Sequence, residues 1–323
     1  MRLVLLLLVA LQGAAAQPPD LVAQASSDRL PSFTEVLDAR FGQASDMRFA
    51  AFKVWAAQWS DAERARWAKT VPPAERADIG CAVADSRGVA RAMVAAAEAP
   101  DRDQARRMWD EADRVAALAP TLEREGLAQA RTAARPTAIG RALALRVTTD
   151  QAWRNALFDR EHDEKTSGML FARLSGRMCH IDRENLAYLK AVIARAGWPT
   201  MSRDGADAAH DAWLLAQHAD VDPAFQEQVL ALMEPLVARH EASGKDYALL
   251  FDRVALARHR PQKFGTQFGD GDRCLAVERV EDHPGLDARR KSVGLETLAE
   301  NAKHISEAYH QPICTDIFAV VER

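Results

Sequence analysis

The sequence is poor in cysteine, with four in 323 residues. That excludes a small scaffold held together by disulfides. No two cysteines form a C-x-x-C pair, so neither a dithiol redox motif nor a zinc ribbon is encoded. An excess of basic charge is missing too: 42 Lys and Arg meet 46 Asp and Glu, for a net charge of −4. Without a global positive field the chain is not built as a nucleic-acid binder. No apolar run reaches the ~20 residues that a membrane-spanning helix needs. H-E-x-x-H, G-x-S-x-G and the glycine patterns of nucleotide-binding loops are all absent. The spacing of the nine histidines suggests no metal site, and no cofactor is expected.

What the chain does contain is apolar residue, 48% of the total, enough to fill one large or two ordinary domains. A disordered chain would carry fewer apolar residues and a larger net charge. Residues 1–16, MRLVLLLLVALQGAAA, place one arginine before an apolar stretch and end in Ala14-Ala15-Ala16. This is the pattern of a secretory signal peptide cleaved before Gln17. The expectation is a soluble periplasmic or secreted protein with no stable membrane span. Export would expose the cysteines to an oxidising compartment, and four allow three pairings. The shortest separation favours Cys274–Cys314, which leaves Cys81–Cys179.

Helical periodicity dominates the rest. Residues 17–32, rich in Pro, Ser and Gln, read as a flexible segment. Residues 33–136 read as an Ala-rich helical N-terminal region that could dock a protein partner. There, Ser60 to Glu63 has the form of a capping box, Pro72-Pro73 is a break, and helices are expected at about 74–84 and 86–98. Residues 137–310 read as a second helical domain, and 311–323 as a tail. Its expected helices run from 137 to 159, from Asp182 to a stop at Gly197-Trp198-Pro199, over 203–219, from the N-cap pair Asp222-Pro223, and over 245–258. The period then changes. Lys263 to Phe268 and Leu275 to Val280 flank the turn Gly269-Asp270-Gly271-Asp272 and read as a hairpin. The fold class is therefore mainly α: a helical domain with a short β-hairpin, preceded by the Ala-rich region.

The second half carries a series of ordered motifs. They are Asp150-Gln151-x-x-Arg154, Gly197-Trp198-Pro199-Thr200, Gln217-His218-Ala219-Asp220, Asp252-Arg253 and Gln262-x-Phe264-Gly265-Thr266-Gln267. A later Arg289-Arg290-x-x-Val293-Gly294-Leu295 follows. Over roughly residues 142–300 the chain resembles a bacterial domain family of unknown function with GWPT, QHAD, DR and Q-x-(Y/F)-G-T-Q signatures. The resemblance implies a helical domain with a short hairpin and implies no reaction.

Elementary chemistry marks the candidates within these motifs. On a helix, Asp252 has Ala248, Leu249, Ala255 and Leu256 as its i±3 and i±4 neighbours, all apolar, and Arg253 is surrounded similarly. A charge so placed needs a partner or a polar cleft. His218, oriented by a carboxylate such as Asp252, could serve as a general base near neutral pH. Asp150 and Arg154 stand at i,i+4, where an intrahelical ion pair is the plainer reading. Gln262 and Gln267 would face opposite sides of an extended strand unless Gly265 turns it.

The resulting expectation is an exported protein with a polar site for a small polar or anionic ligand. His218 and Asp252 are the catalytic candidates, and Asp150, Gln151, Arg154, Gln217, Arg253, Gln262, Thr266 and Gln267 the ligand-binding ones. The alternatives are an enzyme using His218 as acid and base, and a structural or interaction protein whose ionic groups form a buried network.

Overall fold

The computed structural model describes residues 31–42, 45–57, 76–156, 164–270, 274–309 and 311–318. The leader, the capping box at Ser60, the break at Pro72-Pro73 and part of the hairpin turn lie outside the described residues. The fold is mainly α with one short antiparallel hairpin. Among the described residues no helix is long and apolar enough to cross a membrane.

The chain forms two compact units. The first comprises residues up to Gly126 together with Gln151–Ile181, and the second comprises Leu127–Asp150 and everything from Asp182 onward.

The first unit starts with α1 (Phe33–Phe41), opened by a reciprocal capping box in which Ser32 accepts from the Glu35 amide. It continues with α2 (Ser45–Ala57), α3 (Arg76–Ala97), α4 (Arg102–Ala116) and the first part of α5 (Ala119–Thr132). The two helices expected between 74 and 98 are thus one. Its middle holds no proline, and a lone glycine is a weaker breaker than proline. Gly88 has a packing reason: a Cβ there would lie 1.9 Å from the carbonyl oxygen of Ala172 on α7 (Glu164–Ala196). The same two helices are joined by the disulfide Cys81–Cys179. The core is dense in alanine (Ala90, Ala92, Ala96, Ala97, Ala105, Ala112), which lets helices approach closely, with Phe33 stacked on Trp109 at 4.6 Å.

The second unit is built on α6 (Ala138–Asn155) up to Asp150 and on the C-terminal part of α7. It adds the short α8 (Met201–Asp204), α9 (Ala206–Gln217), α10 (Pro223–Val237) and α11 (Gly244–Ala257). Leu143, Leu189, Trp198, Trp213, Phe225, Val229, Met233, Leu250 and Val254 fill its core. Asp222 caps α10 by accepting from the Phe225 amide, with Pro223 in the first turn. Asp182 does not open a helix. It lies inside α7, because nothing in Cys179-His180-Ile181 breaks the run.

Strands β1 (Phe268–Asp270) and β2 (Leu275–Val277) pair antiparallel, Phe268 opposite Val277 and Asp270 opposite Leu275. Both are shorter than the sequence pattern suggests: residues 263–267 are held as a loop, and beyond Val277 the second segment leaves the ladder, Val280 bridging to Gln262 instead. A 3-10 turn (His283–Gly285), α12 (Leu286–Ser292) and α13 (Leu298–Tyr309) complete the unit, and Cys274–Cys314 ties the hairpin to the segment after α13.

Candidate functional site

Two charged assemblies occur in the second unit, and they differ in construction. The first is a clamp on the loop 263–267. Asp252 on α11 is fully buried. Its Oδ1 accepts from the amides of Lys263 (2.8 Å) and Phe264 (3.0 Å), and its Oδ2 from the amide of Thr266 (3.0 Å). Burial pushes the Asp252 carboxyl above its ordinary value, opposed by these N–H donors. From the other side, the fully buried Arg290 on α12 donates from Nη1 to the carbonyls of Phe264 (2.8 Å) and Gly265 (2.9 Å). Its Nε reaches Glu296 O and its Nη2 reaches Asn301 Oδ1. One side chain takes the loop's donors and the other its acceptors.

Gln262 completes the clamp as a surrogate strand. Its Nε2 donates to the carbonyls of Gln267 (2.9 Å) and Glu278 (2.7 Å), while its Oε1 accepts from the Gln267 amide (2.8 Å). Gly265 turns the loop at φ +61°, with Leu286, Val277 and Val280 closed around it. A side chain there would meet both left-handed strain and a full surround.

The second assembly centres on His218, the residue that ends α9. Its Nδ1 lies 3.0–3.1 Å from the Asp150 carboxylate, which is fully buried on α6. Asp182, half-buried on α7, joins them: each of the three residues offers a donor atom, and these atoms lie within 4.8 Å of one another. Two residues beyond His218, Asp220 forms a two-pronged pair with Arg253 of α11, Nε to Oδ1 at 2.8 Å and Nη2 to Oδ2 at 2.5 Å. Gln226, fully buried, donates from Nε2 to Asp220 Oδ1 and to the last carbonyls of α9. Burial raises the Asp220 carboxyl, but the Arg253 guanidinium, Gln226 and His218 outweigh it and hold the group below its ordinary value. Asp182 adds to the field that keeps Arg253 charged.

This assembly adjoins an open cleft of about 640 Å3. Asp220, Arg253, Arg260, Gln267, Glu278 and Arg279 are among its lining residues. Gln267 thus stands with its backbone in the clamp and its side chain on the cleft, where Nε2 donates to Thr266 Oγ1 (3.1 Å).

The sequence candidates therefore separate. Asp252, Gln262 and Thr266 meet in the clamp, while Asp150, His218 and Arg253 belong to the second assembly. The carboxylate against the imidazole is Asp150, whereas Asp252 is held by the loop amides. Gln217 immediately precedes His218, and its buried Oε1 has no hydrogen-bond partner among the described residues. Gln151 and Arg154 follow Asp150 on α6 but fall in the first unit.

Sequence reasoning missed Asp182, Arg260, Arg279 and the role of Arg290. Asp182 carried a signal that was readable as a cap instead. Arg290 belongs to the Arg289-Arg290-x-x-Val293-Gly294-Leu295 motif, whereas Arg260 and Arg279 are ordinary charges in the sequence until the fold gathers them.

Residues 139–313, more than half of the chain, match a family described as a family of unknown function (DUF6624). No curated protein and no solved structure matches the chain.

Proposed function

We infer that this chain, which belongs to the DUF6624 family, is an exported protein that binds a small anionic ligand at the cleft beside Arg253, Arg260 and Arg279. The observation that carries this reading is the cleft wall. Three arginines and Gln267, with the carboxylates of Asp220 (paired with Arg253) and Glu278, line a volume of about 640 Å3, within the ~300–1,000 Å3 of small-molecule sites. Planar guanidinium forks suit carboxylate and phosphate groups. Arg279 is already braced, its Nη2 donating to the His259 carbonyl at 2.6 Å. Arg260 is exposed on the same wall, where its charge also acts on Glu227. Asp252, Gln262 and Thr266 act here as positioning residues, because they fix the loop that presents Gln267, and a preformed wall lowers the ordering cost of binding.

The test is calorimetric titration with inorganic phosphate and a panel of small dicarboxylates. Binding of at least one is expected, weakened tenfold or more by Arg260→Ala and by Arg279→Ala. Heats that are absent, or identical in both variants, overturn the reading.

A second reading, an enzyme with His218 as acid and base, rests on the His218–Asp150 contact. A buried carboxylate on Nδ1 orients the ring and leaves Nε2 for proton transfer. Ligand turnover that Asp150→Asn abolishes while binding persists would favour it; binding without turnover favours the first reading. Export is supported by the leader pattern of Met1 to Ala16 and by the two disulfides. N-terminal sequencing of the mature protein is expected to begin at Gln17, and a retained Met1 on the native protein contradicts it.

A further inference from the structure

We propose that Asp150, Asp182 and His218 form a binding site for a divalent transition-metal cation, with Zn2+ and Mn2+ the best matched. Oxygen and nitrogen donors sit about 2.0–2.2 Å from such ions, so neighbouring donors stand about 3 Å apart around an octahedral ion such as Mn2+ and about 3.3–3.5 Å apart around a tetrahedral one such as Zn2+. The His218–Asp150 separation of 3.0–3.1 Å matches the octahedral spacing. All three donor atoms lie within 4.8 Å of one another. Three side chains from α6, α7 and α9 thus converge from well-separated positions in the sequence. Rigid helices, not a mobile loop, hold the donors.

Chemistry selects the ion. One imidazole and two carboxylates form a mixed nitrogen and oxygen set, suited to Zn2+, Mn2+ or Fe2+. It offers no thiolate for a soft ion and too few oxygens for Ca2+, which takes 6–8. Asp150 is fully buried and Asp182 half-buried, so this is no surface patch of acids. His218 closes α9, and the negative end of a helix dipole favours positive charge. Asp150 and Asp182 have further partners, and a carboxylate has about four lone-pair positions, enough to serve both. When the cation enters, any proton shared between His218 Nδ1 and Asp150 leaves to solvent, and the ion takes its place.

The experiment uses the mature protein stripped with a chelator and dialysed. It is titrated separately with Mn2+ and Zn2+ by calorimetry, and Co2+ absorption reports the donor set. The expected result is one equivalent bound, an upward shift in melting temperature, and a loss of at least tenfold in affinity in both Asp182→Asn and His218→Gln. Asp182→Asn is the decisive variant, because the amide keeps the shape of the carboxylate while removing its charge, and the melting temperature of the metal-free variant checks its fold. Absence of stoichiometric binding overturns the site. So does binding unchanged in Asp182→Asn, which would place the ion elsewhere, for example at the exposed His304–Glu296 pair. Anion binding at Arg260 and Arg279 is measured on separate variants, so either site can fail without the other.

Discussion

The clamp around Asp252 and the assembly around His218 are both made of charges on helices, yet they end in different states. In the clamp each charged group meets the backbone of one loop: Asp252 accepts from three of its amides, and Arg290 donates to two of its carbonyls, its remaining N–H groups going to Glu296 O and Asn301 Oδ1. Both are fully buried. The second assembly pairs side chain with side chain, and it stands beside a cleft at Asp220 and Arg253. A charge saturated by backbone groups in the interior has nothing left to offer a ligand. A charge beside a cleft, matched to a partner that a ligand can replace, has. Burial alone does not separate architecture from function, since Asp150 is as buried as Asp252. The identity of the partners does.

The largest expected effect breaks the clamp. Asp252→Ala leaves three inward-facing amides without an acceptor, and Arg290→Met leaves two loop carbonyls without a donor. Each is expected to cost about 3–5 kcal/mol, the range for removing one side of a buried charged interaction. Because both hold the same five residues, the double variant should lose markedly less than the sum. Urea denaturation with a double-mutant cycle measures this. A cost below about 1 kcal/mol for Asp252→Ala, or full additivity, would mean the loop is held by something else. Arg260→Ala should instead stay within about ±0.5 kcal/mol of the parent, as for exposed side chains generally.

Much of this organisation was legible in the sequence, for identifiable reasons. The helical class followed from periodicity, and the hairpin from a change of period around a Gly/Asp turn. Apolar neighbours on every side of Asp252 signalled that this charge needs partners, but i±3 and i±4 spacing says nothing about partners on another segment. Hence the Asp252 amide contacts to residues 263–266 were invisible, and the extended reading of that segment overshot. The His218–Asp150 contact joins residues 68 positions apart, and local pattern carries no such information. Asp182 illustrates a different limit. An aspartate reads as a helix cap when nothing nearby contradicts it, yet helix α7 runs straight through it. Arg260 and Arg279 acquire meaning only when the hairpin folds back beside α11.

A subtler effect is also the sharpest on the contrast, because the two assemblies should answer acid with opposite signs. Asp220 is held below its ordinary value, near 3.8 when unfolded. Its contribution is therefore present above that value and lost as pH falls through the lower folded value. Asp252 is pushed above its ordinary value by burial. Its contribution is complete below about 3.8 and is lost as pH rises through the raised folded value. Denaturation of the parent, Asp220→Asn and Asp252→Asn between pH 3 and pH 7 separates them. The Asp220→Asn difference, about 0.2–1 kcal/mol at pH 7 for a partly exposed pair, should shrink on acidification. The Asp252→Asn difference should widen over the same interval. Parallel slopes would show that the carboxylate in the closed clamp and the one beside the cleft experience the same balance of burial and compensation, and the distinction between the two assemblies would fall.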